Sequence, residues 1–542
     1  MINLSENTII KSVFGLAIIG LIAVSILNLR PGHIWGGDFQ LYIRQALSII
    51  NNDKEQVAED VYFMLENSND HTFSPVTYPW GFPILLVPVV LATGMNNYPS
   101  VSDFQVLKWY MVFLYITFVL LFYLWVRNKF CGWIPVLLMI ILGFQPAFIS
   151  HINHIMSEIP YLCFIILSFV FIDYSVNTLS NTKERDKEHD SNKKPYGKHN
   201  NRHDITGTDY IMALVTGVII YFTSQIRTEG FLLFPALMAA QAVILYRQYN
   251  EYIKNQEHNE YHKSVQSGKI SILKQLNMLY LLIPYLGAAV FAVIWTLIFP
   301  SGFVSHFGHS SLINYGTIVN NVVSYFYQVQ HYMPLSGEVL SGLFMIICLT
   351  GYIKNLFRYP APAVFFTLTI MLFIVWPHNS TRYFLCLVPF LLFFFALGLK
   401  WLGIFFKEPA ISWIVTVCFA LIITVKAGLM TNSRFPSRET LLLGPAVKES
   451  TEMFNFVRKN TSPDDVIGFF RPRVMYLYTG RKALTLSGSP EEICTKTDWY
   501  ICTIDQGDFY QCNISIMEYM ERRKLIREVF RNSNFVIYST KP

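Results

Sequence analysis

The chain has 542 residues, of which 53% are hydrophobic, 16% aromatic and only 14% charged, and its formal net charge is +6. An ordinary soluble domain carries about 25% charged residues, so this composition excludes a soluble protein throughout. The small positive charge collects in a few polar segments and requires no nucleic-acid partner.

Long apolar segments separate these polar segments. A helix of about 20 apolar residues crosses a hydrocarbon core of about 30 Å, and in lipid only helices and closed barrels satisfy every backbone hydrogen bond. Because the apolar runs are continuous rather than alternating, they favour helices. The sequence therefore predicts about eleven transmembrane helices, at residues 12–29, 106–126, 133–150, 158–176, 209–224, 231–246, 278–299, 338–356, 361–376, 383–399 and 411–430.

Lysine and arginine are concentrated in alternate loops, most densely in the polar segment 181–205. The positive-inside rule places these loops in the cytoplasm. We therefore expect a transmembrane domain of residues 1–430 whose outer loops are 30–105 and 300–337. We expect the C-terminal region 431–542 to be extracytoplasmic, and the location to be a bacterial inner membrane.

The first outer segment contains an acidic residue directly after the first predicted span. Asp38 follows Gly36 and Gly37, and an apolar helical pattern begins right after it. Two interpretations are open at this point. Asp38 is either a general base at the membrane surface or the N-cap of the helix that follows.

The same outer segment contains the aromatic and proline-rich sequence YPWGFP, which begins at Tyr78. It precedes an apolar stretch, 84–93, that is too short to span a membrane. This pattern predicts a helix in the membrane interface.

Ionisable residues lie at the outer ends of several later spans. They are Glu158, Arg227, Glu229, His378 and Arg382, with Tyr383 next to the last. Charged groups at membrane depth are costly, so we expect these to pair with each other or with a ligand. An arginine fork suits a phosphate, although a single such arginine is equally consistent with a snorkelling side chain.

The C-terminal region has the composition of a soluble domain. Segments 465–470, 499–502 and 535–538 have strand-like content, and 517–529 has helical spacing. A small α/β domain is predicted. It contains Cys494, Cys502 and Cys512, which allow one disulfide and one free thiol.

Five segments in this order resemble the GT-C superfamily of membrane glycosyltransferases, most closely the group of protein O-mannosyltransferases and the lipid A aminoarabinose transferase. The segments are GGDFQLYIRQAL from Gly36, YPWGFPILL from Tyr78, MSEIPYLCFIIL from Met156, RTEGFLLFPAL from Arg227 and HNSTRYFLCLVPFLLFF from His378. One departure concerns Asp38, which is followed by Phe39 where some relatives have Glu. That departure argues against the O-mannosyltransferase subgroup.

The resemblance implies a polytopic α-helical, GT-C-like fold and an inverting transfer of a sugar from a polyprenyl-phosphate donor. The acceptor is a lipid, a glycan or a protein. Asp38 maps onto the family's catalytic carboxylate, as base or acceptor-orienting group. Arg227 and Arg382 are the candidates for the charge around the phosphate. Tyr78, Glu158, Glu229, His378 and Tyr383 are the other expected substrate-binding residues.

Some members of this superfamily use a divalent metal, but His33, His71, His306 and His309 have no ligand-like spacing here, and metal use is left open. Alternative functions with similar span numbers are a transporter or flippase of lipid-linked saccharides and a polysaccharide polymerase or ligase. Transporters usually contain internal repeats, and no motif recurs in this chain.

Overall fold

The computed structural model describes residues 6–36, 38–69, 75–95, 98–188, 205–259, 278–300, 314–333, 338–376, 380–405, 414–415, 417–418, 421–422, 425, 444–486, 489–504 and 514–541. Most of these residues are helical, and the strands lie near the C-terminus. The described residues therefore form a polytopic α-helical membrane protein with a small α/β domain.

The helices follow the apolar pattern of the sequence. In chain order they are α1 Glu6–Leu27, α2 Phe39–Asn51, α3 Lys54–Asn67, α4 Gly81–Thr93, α5 Val101–Arg127, α6 Ile134–Gly143, α7 Pro146–His151, α8 Glu158–Glu188, α9 Gly207–Ile226, α10 Leu233–Asn259, α11 Met278–Ile298, α12 Tyr315–Tyr332, α13 Glu338–Asn355, α14 Pro360–Val375 and α15 Val388–Phe405. Short 3₁₀ turns at Thr228–Leu232 and Thr381–Leu387 lead into α10 and α15.

Eight of the described helical segments are long and apolar enough to cross a membrane. They correspond to eight of the predicted spans and include α1, α5, α8, α9, α11 and α13, with α10 and α15 extended by their 3₁₀ turns. Two further predicted spans correspond to apolar helices shorter than these eight. Residues 133–150 form two helices because Pro146, which cannot continue a helix interior, begins the second one. Residues 361–376 correspond to the 16-residue α14, and most of 411–430 lies outside the described residues.

The span Thr381–Phe405 lies at the centre of the bundle, where 83% of it is buried. Its phenylalanines pack against aromatic residues of α5, α8 and α14, as in the contacts of Phe390 and Phe393 with Trp125. The indole of Trp125 also donates to Asp173, which pairs with Lys129. This ion pair ties the end of α5 to α8, far from the beginning of α8 at Glu158.

Helices α2, α3 and α4, of 13, 14 and 13 residues, are not among the candidate membrane spans. The apolar stretch 84–93 belongs to helix α4, and the first residue of this helix, Gly81, lies against the end of α9. A Cβ at Gly81 would lie 2.5 Å from the Gln225 carbonyl oxygen, so only glycine allows this approach. The close contact brings the Tyr78 segment next to Arg227.

The C-terminal domain is a five-stranded sheet covered by short helices. Its elements are α16 Lys448–Asn460, β1 Val466–Gly468, α17 Pro472–Thr479, β2 Lys482–Leu484, α18 Pro490–Lys496, β3 Trp499–Thr503, α19 Ile514–Arg522, β4 Arg527–Arg531 and β5 Phe535–Ser539. The strand order is β2-β1-β3-β5-β4; β1 is parallel to β2 and β3, whereas β5 is antiparallel to β3 and β4. Cys502 is disulfide-bonded, and Cys494 is a free thiol.

Trp35 joins the membrane domain to the C-terminal domain. Its side chain is only 1% exposed, and its ring lies 5.1–6.2 Å from four phenylalanine rings of that domain, Phe454, Phe469, Phe470 and Phe535. The outer segment thus contributes a residue to the core of the C-terminal domain. Asp38 follows three residues later and is held by this anchor.

We predict that Trp35→Ala lowers the free energy of unfolding by about 3–5 kcal/mol, the usual effect of truncating a buried aromatic residue. Thermal unfolding of the purified protein in detergent measures this change. The matched control is Trp109→Ala, because Trp109 is 44% exposed on α5. Equal effects of the two substitutions would contradict the anchoring role of Trp35.

Candidate active site

Five charged side chains from four parts of the chain meet near the ends of α2, α8, α9 and the turn before α15, and we call them the charge cluster: Asp38, Glu158, Arg227, Glu229 and Arg382. Arg227 donates to Glu158 at 2.9 Å and to Glu229 at 2.8 Å. Arg382 donates to Asp38 at 3.1 Å, and its Nε lies 3.6 Å from the same Glu158 oxygen. Three carboxylates thus face two guanidinium groups, which leaves the cluster one negative charge in excess.

Glu158 is the most deeply buried member of the cluster. Its side chain is 1% exposed, and the residue is the first of α8. Its Oε1 is shared by both arginines, and its Oε2 lies 3.7 Å from Nε2 of His151. A carboxylate without water around it requires such neighbours, because an isolated buried charge is strongly destabilising.

The backbone before Glu158 is fixed by contacts with the outer segment. The Asn153 side chain accepts a hydrogen bond from the Arg30 amide and donates one to the Asn28 carbonyl. Ser157 accepts a hydrogen bond from the Tyr42 hydroxyl at 3.0 Å. These contacts place the start of α8 directly beside the segment that carries Asp38.

Asp38 occupies the N-cap position of α2, but its side chain makes no capping hydrogen bond. The carboxylate instead contacts Arg382. The structure therefore does not support the interpretation that the Asp38 side chain caps α2. The Asp38 side chain is 21% exposed and that of Arg382 is 30% exposed, so this pair is the open part of the cluster.

Tyr78 lies beside the cluster through its contact with Tyr42. The two rings stack with centroids 4.6 Å apart. The side-chain amide of Gln45 donates a hydrogen bond to the backbone carbonyl of Tyr78 and accepts one from its backbone N–H. Burial and then the nearby Asp38 carboxylate raise the pKa of Tyr78 well above its usual value. Its hydroxyl therefore keeps its proton and remains a hydrogen-bond donor.

Arg227 is held far more tightly than Arg382. Its guanidinium lies between the rings of Tyr161, at 5.8 Å, and Tyr383, at 5.4 Å, besides its two ion pairs. The Nη2 group of Arg382 makes no hydrogen bond to a described residue, and the hydrogen bonds of this side chain involve Asp38 and, weakly, the Met156 sulfur. Among the described residues, Arg382 thus keeps more free hydrogen-bonding capacity toward a ligand.

The structure brings together most of the residues predicted from the sequence. Asp38, Glu158, Arg227, Glu229, Arg382 and Tyr383 are in mutual contact, with Tyr78 adjacent. His378 lies outside the described residues. Tyr42 and Tyr161 were not predicted from the sequence, although they occupy the positions i+4 from Asp38 and i+3 from Glu158. That helical spacing would have identified both.

The part of the chain that the structure describes contains no ligand set for a divalent metal. The described residues contain no group of three or more His, Cys, Asp or Glu side chains arranged to hold one. His33 is buried, with Nδ1 at 2.9 Å from the Ile34 carbonyl and Nε2 accepting from the Ile155 amide. His71, His306 and His309 lie outside the described residues. Between Asp38 and Glu158, the guanidinium of Arg382 provides the positive charge.

Several buried polar atoms of the site have no hydrogen-bond partner among the described residues. They are Nε of Arg227 and the Tyr161 hydroxyl, together with Oε2 of Glu158 and Nε2 of His151, which make no hydrogen bond but lie 3.7 Å from each other. Each such atom costs about 1–3 kcal/mol if it stays unpaired. A ligand with several polar groups would compensate for this cost.

Three solved structures have a similar fold. ArnT from Cupriavidus metallidurans bound to undecaprenyl phosphate matches with a TM-score of 0.54 at 8% identity, over 97% of each chain. The oligosaccharyltransferase AglB from Archaeoglobus fulgidus, in complex with an inhibitory peptide and a dolichol-phosphate, matches with a TM-score of 0.51 at 12% identity, over 91% of this chain and 69% of AglB. The Archaeoglobus fulgidus oligosaccharyltransferase tethered to an acceptor peptide matches with a TM-score of 0.52 at 13% identity and the same coverage.

No protein-family model matches the chain, and a search of curated proteins finds no match. At identities this low the structural likeness concerns the fold alone. The predicted GT-C-like fold is confirmed, and it extends over nearly the whole chain.

We predict that Glu158→Gln lowers the free energy of unfolding by about 3–5 kcal/mol, because it leaves two guanidinium groups without their shared carboxylate. Thermal unfolding in detergent measures the loss. Glu229→Gln is the control, since Glu229 contacts only Arg227 among the described cations. An effect of Glu158→Gln no larger than that of the control would contradict the central place of Glu158.

Proposed function

We propose that the protein is a membrane glycosyltransferase that moves a sugar from a polyprenyl-phosphate donor to an acceptor hydroxyl. The observation that carries this proposal is the open pair of Asp38 and Arg382, a carboxylate and a cation that share one partly exposed site. A transfer from a lipid phosphate requires a group that accepts the hydroxyl proton and a cation for the leaving phosphate. The fold shared with ArnT and AglB supports the same class of reaction.

In the proposed reaction, the acceptor hydroxyl gives its proton to the Asp38 carboxylate. The acceptor oxygen forms a bond to the anomeric carbon as the bond between that carbon and the phosphate oxygen breaks. The leaving polyprenyl phosphate keeps the electron pair and gains one negative charge. Attack from the side opposite the leaving group inverts the anomeric configuration.

The two arginines have different tasks in this proposal. Arg382 contacts the donor phosphate, because its side chain is partly exposed and its Nη2 group makes no hydrogen bond to a described residue. Arg227 keeps Glu158 and Glu229 in place, because both of its Nη groups are already bonded. Tyr78, Glu229 and Tyr383 line the site around the sugar.

The course of α8 supports an outer position for the site. This helix begins in the charge cluster at Glu158 and runs to Glu188, within the lysine- and arginine-rich segment 181–205. The two ends of a membrane-spanning helix lie on opposite sides of the bilayer. If the basic segment is cytoplasmic, the charge cluster and the C-terminal domain anchored by Trp35 are extracytoplasmic.

We predict that Asp38→Asn lowers the rate of sugar transfer about 10²–10⁴-fold, the usual contribution of a general base. Asn has the size of Asp but cannot accept the proton. The assay incubates purified protein with a panel of radiolabelled polyprenyl-phosphate sugars and membrane extract as the acceptor source. The control is Asp103→Asn, in the capping box of α5. Transfer by the Asp38 variant within a few-fold of wild type would refute the base, and no transfer by the wild type from any donor would refute the function.

We further predict that Arg382→Ala weakens binding of undecaprenyl phosphate roughly ten- to a hundredfold, since a charge-assisted hydrogen bond contributes about 1.5–3 kcal/mol. Microscale thermophoresis of the detergent-purified protein measures the affinity. The matched control is Arg127→Ala, because Arg127 is the last residue of α5 and does not belong to the charge cluster. Similar affinities of the two variants would show that Arg382 does not contact the phosphate.

A further inference from the structure

His151 lies against the buried carboxylate of the charge cluster, and the reaction proposed above assigns it no role. It is the last residue of α7, and its Nε2 lies 3.7 Å from Oε2 of Glu158. Neither of these two buried atoms makes a hydrogen bond to a described residue. The imidazole and the carboxylate are therefore at ion-pair distance, and a shift of about 1 Å would bring them to hydrogen-bond distance.

The positive charge of Arg382 is shared between two carboxylates before any donor binds. Its Nη1 lies 3.1 Å from Asp38 and its Nε lies 3.6 Å from Oε1 of Glu158. A donor phosphate at this guanidinium competes with both carboxylates for the same charge. Because the Glu158 side chain is only 1% exposed, water cannot replace the arginine, and the carboxylate then needs another cation.

The charge balance of the cluster leads to the same need. Three carboxylates already face two guanidinium groups. The phosphodiester of a polyprenyl-phosphate sugar adds one negative charge, so that four anions would face two cations. An uncompensated charge in an enclosed site is strongly destabilising. A proton on His151 would provide a third cation at Oε2 of Glu158, whereas both arginines contact Oε1.

Two other histidines lie near His151, and both are held neutral. The ring of His154 lies 5.6 Å from that of His151 and 5.8 Å from that of His33. Burial and then the neighbouring His151 lower the pKa of His154 to about 3. Burial also lowers the pKa of His33 well below its usual value, and both of its ring nitrogens have backbone partners. The His151 side chain is 18% exposed, so protons from solvent reach it.

The charged groups around His151 are one carboxylate and four cations from several parts of the chain. They are Glu158 of α8, Arg227 and Arg382 beyond it, and Lys108 of α5 and Arg30 near His154. The Lys108 ammonium donates to the Arg30 carbonyl at 2.7 Å. These cations oppose a proton on His151 in the free protein, and an added anion shifts the balance toward the protonated ring.

We propose that His151 is a positioning residue for the donor, because it takes up a proton when the phosphate binds and replaces Arg382 as the cation at Glu158. This inference rests on the proposed function, since it concerns the donor site of the same reaction. The protonated ring donates a hydrogen bond from Nε2 to Oε2 of Glu158. Arg382 is then available to the phosphate and to Asp38. The proton comes from solvent, and no bond of the donor changes in this step.

The test is the affinity of the full-length protein in detergent for undecaprenyl methyl phosphate, measured by microscale thermophoresis from about pH 5.5 to about pH 8.5, the range in which histidines change charge. This phosphodiester keeps one negative charge throughout, so any pH dependence belongs to the protein. A complex that holds one more proton than its free partners is favoured at acidic pH. We therefore expect the affinity of wild type to fall by about tenfold or more as the pH rises through this range.

Three variants identify the group that takes up the proton. His151→Gln cannot be protonated, so its affinity should vary less than about threefold and should be weaker than that of wild type at acidic pH. His151→Lys has a permanent positive charge and should keep the tight binding up to the highest pH. The matched control is His154→Gln, at the neighbouring neutral histidine, which should retain the pH dependence of wild type.

The same pH dependence in wild type and His151→Gln would overturn the inference, even if the variant binds more weakly at every pH, because a merely structural role would have that effect. If His151→Gln does not fold by size-exclusion chromatography, His151→Lys decides, and a pH dependence like that of wild type would then overturn it. Binding that needs Arg382 but not His151 refutes this inference and not the proposed function. Proton-linked binding through His151 in a protein that transfers no sugar refutes the proposed function alone, and a wild type that does not bind the phosphodiester refutes both.

Discussion

The need to neutralise Glu158 inside the protein organises the rest of the site. Its carboxylate is almost fully enclosed and is shared by Arg227 and Arg382. Such a charge is tolerated only where opposite charges are fixed at close range. The ends of α8, α9 and the turn before α15 must therefore meet at one point, and the outer segment with Asp38 joins them through the second arginine.

The C-terminal domain takes part in this arrangement. Trp35 fills its aromatic core, and Arg473 of α17 donates to the carbonyl of Pro75 in the first outer segment. Trp35 and Arg44, on either side of Asp38, thus contact the C-terminal domain, and Tyr42 contacts Ser157 of the membrane domain. A carboxylate that must meet an acceptor in one geometry benefits from such rigid support.

The sequence predicted the charged residues of the site well, because an ionisable residue at the start of an apolar helix is costly unless it pairs with another charge or with a ligand. Glu158, Arg227 and Arg382 were found in this way, although the different engagement of the two arginines was not. Pairing between residues more than 200 positions apart leaves no local pattern, and neither does the insertion of Trp35 into a distant domain. The predicted span 133–150 was too long because Pro146 interrupts it. The strands were predicted from their local composition, but their order was not.

The central claim is that the phosphate of a polyprenyl phosphate binds at the open pair of Asp38 and Arg382. A cryo-electron microscopy structure of the full-length protein with bound undecaprenyl phosphate tests this claim most directly. We predict a phosphate oxygen within about 3 Å of a guanidinium nitrogen of Arg382, the length of a charge-assisted hydrogen bond, while Arg227 keeps its contacts with Glu158 and Glu229. A phosphate bound elsewhere, with no contact to Arg382, would contradict the account.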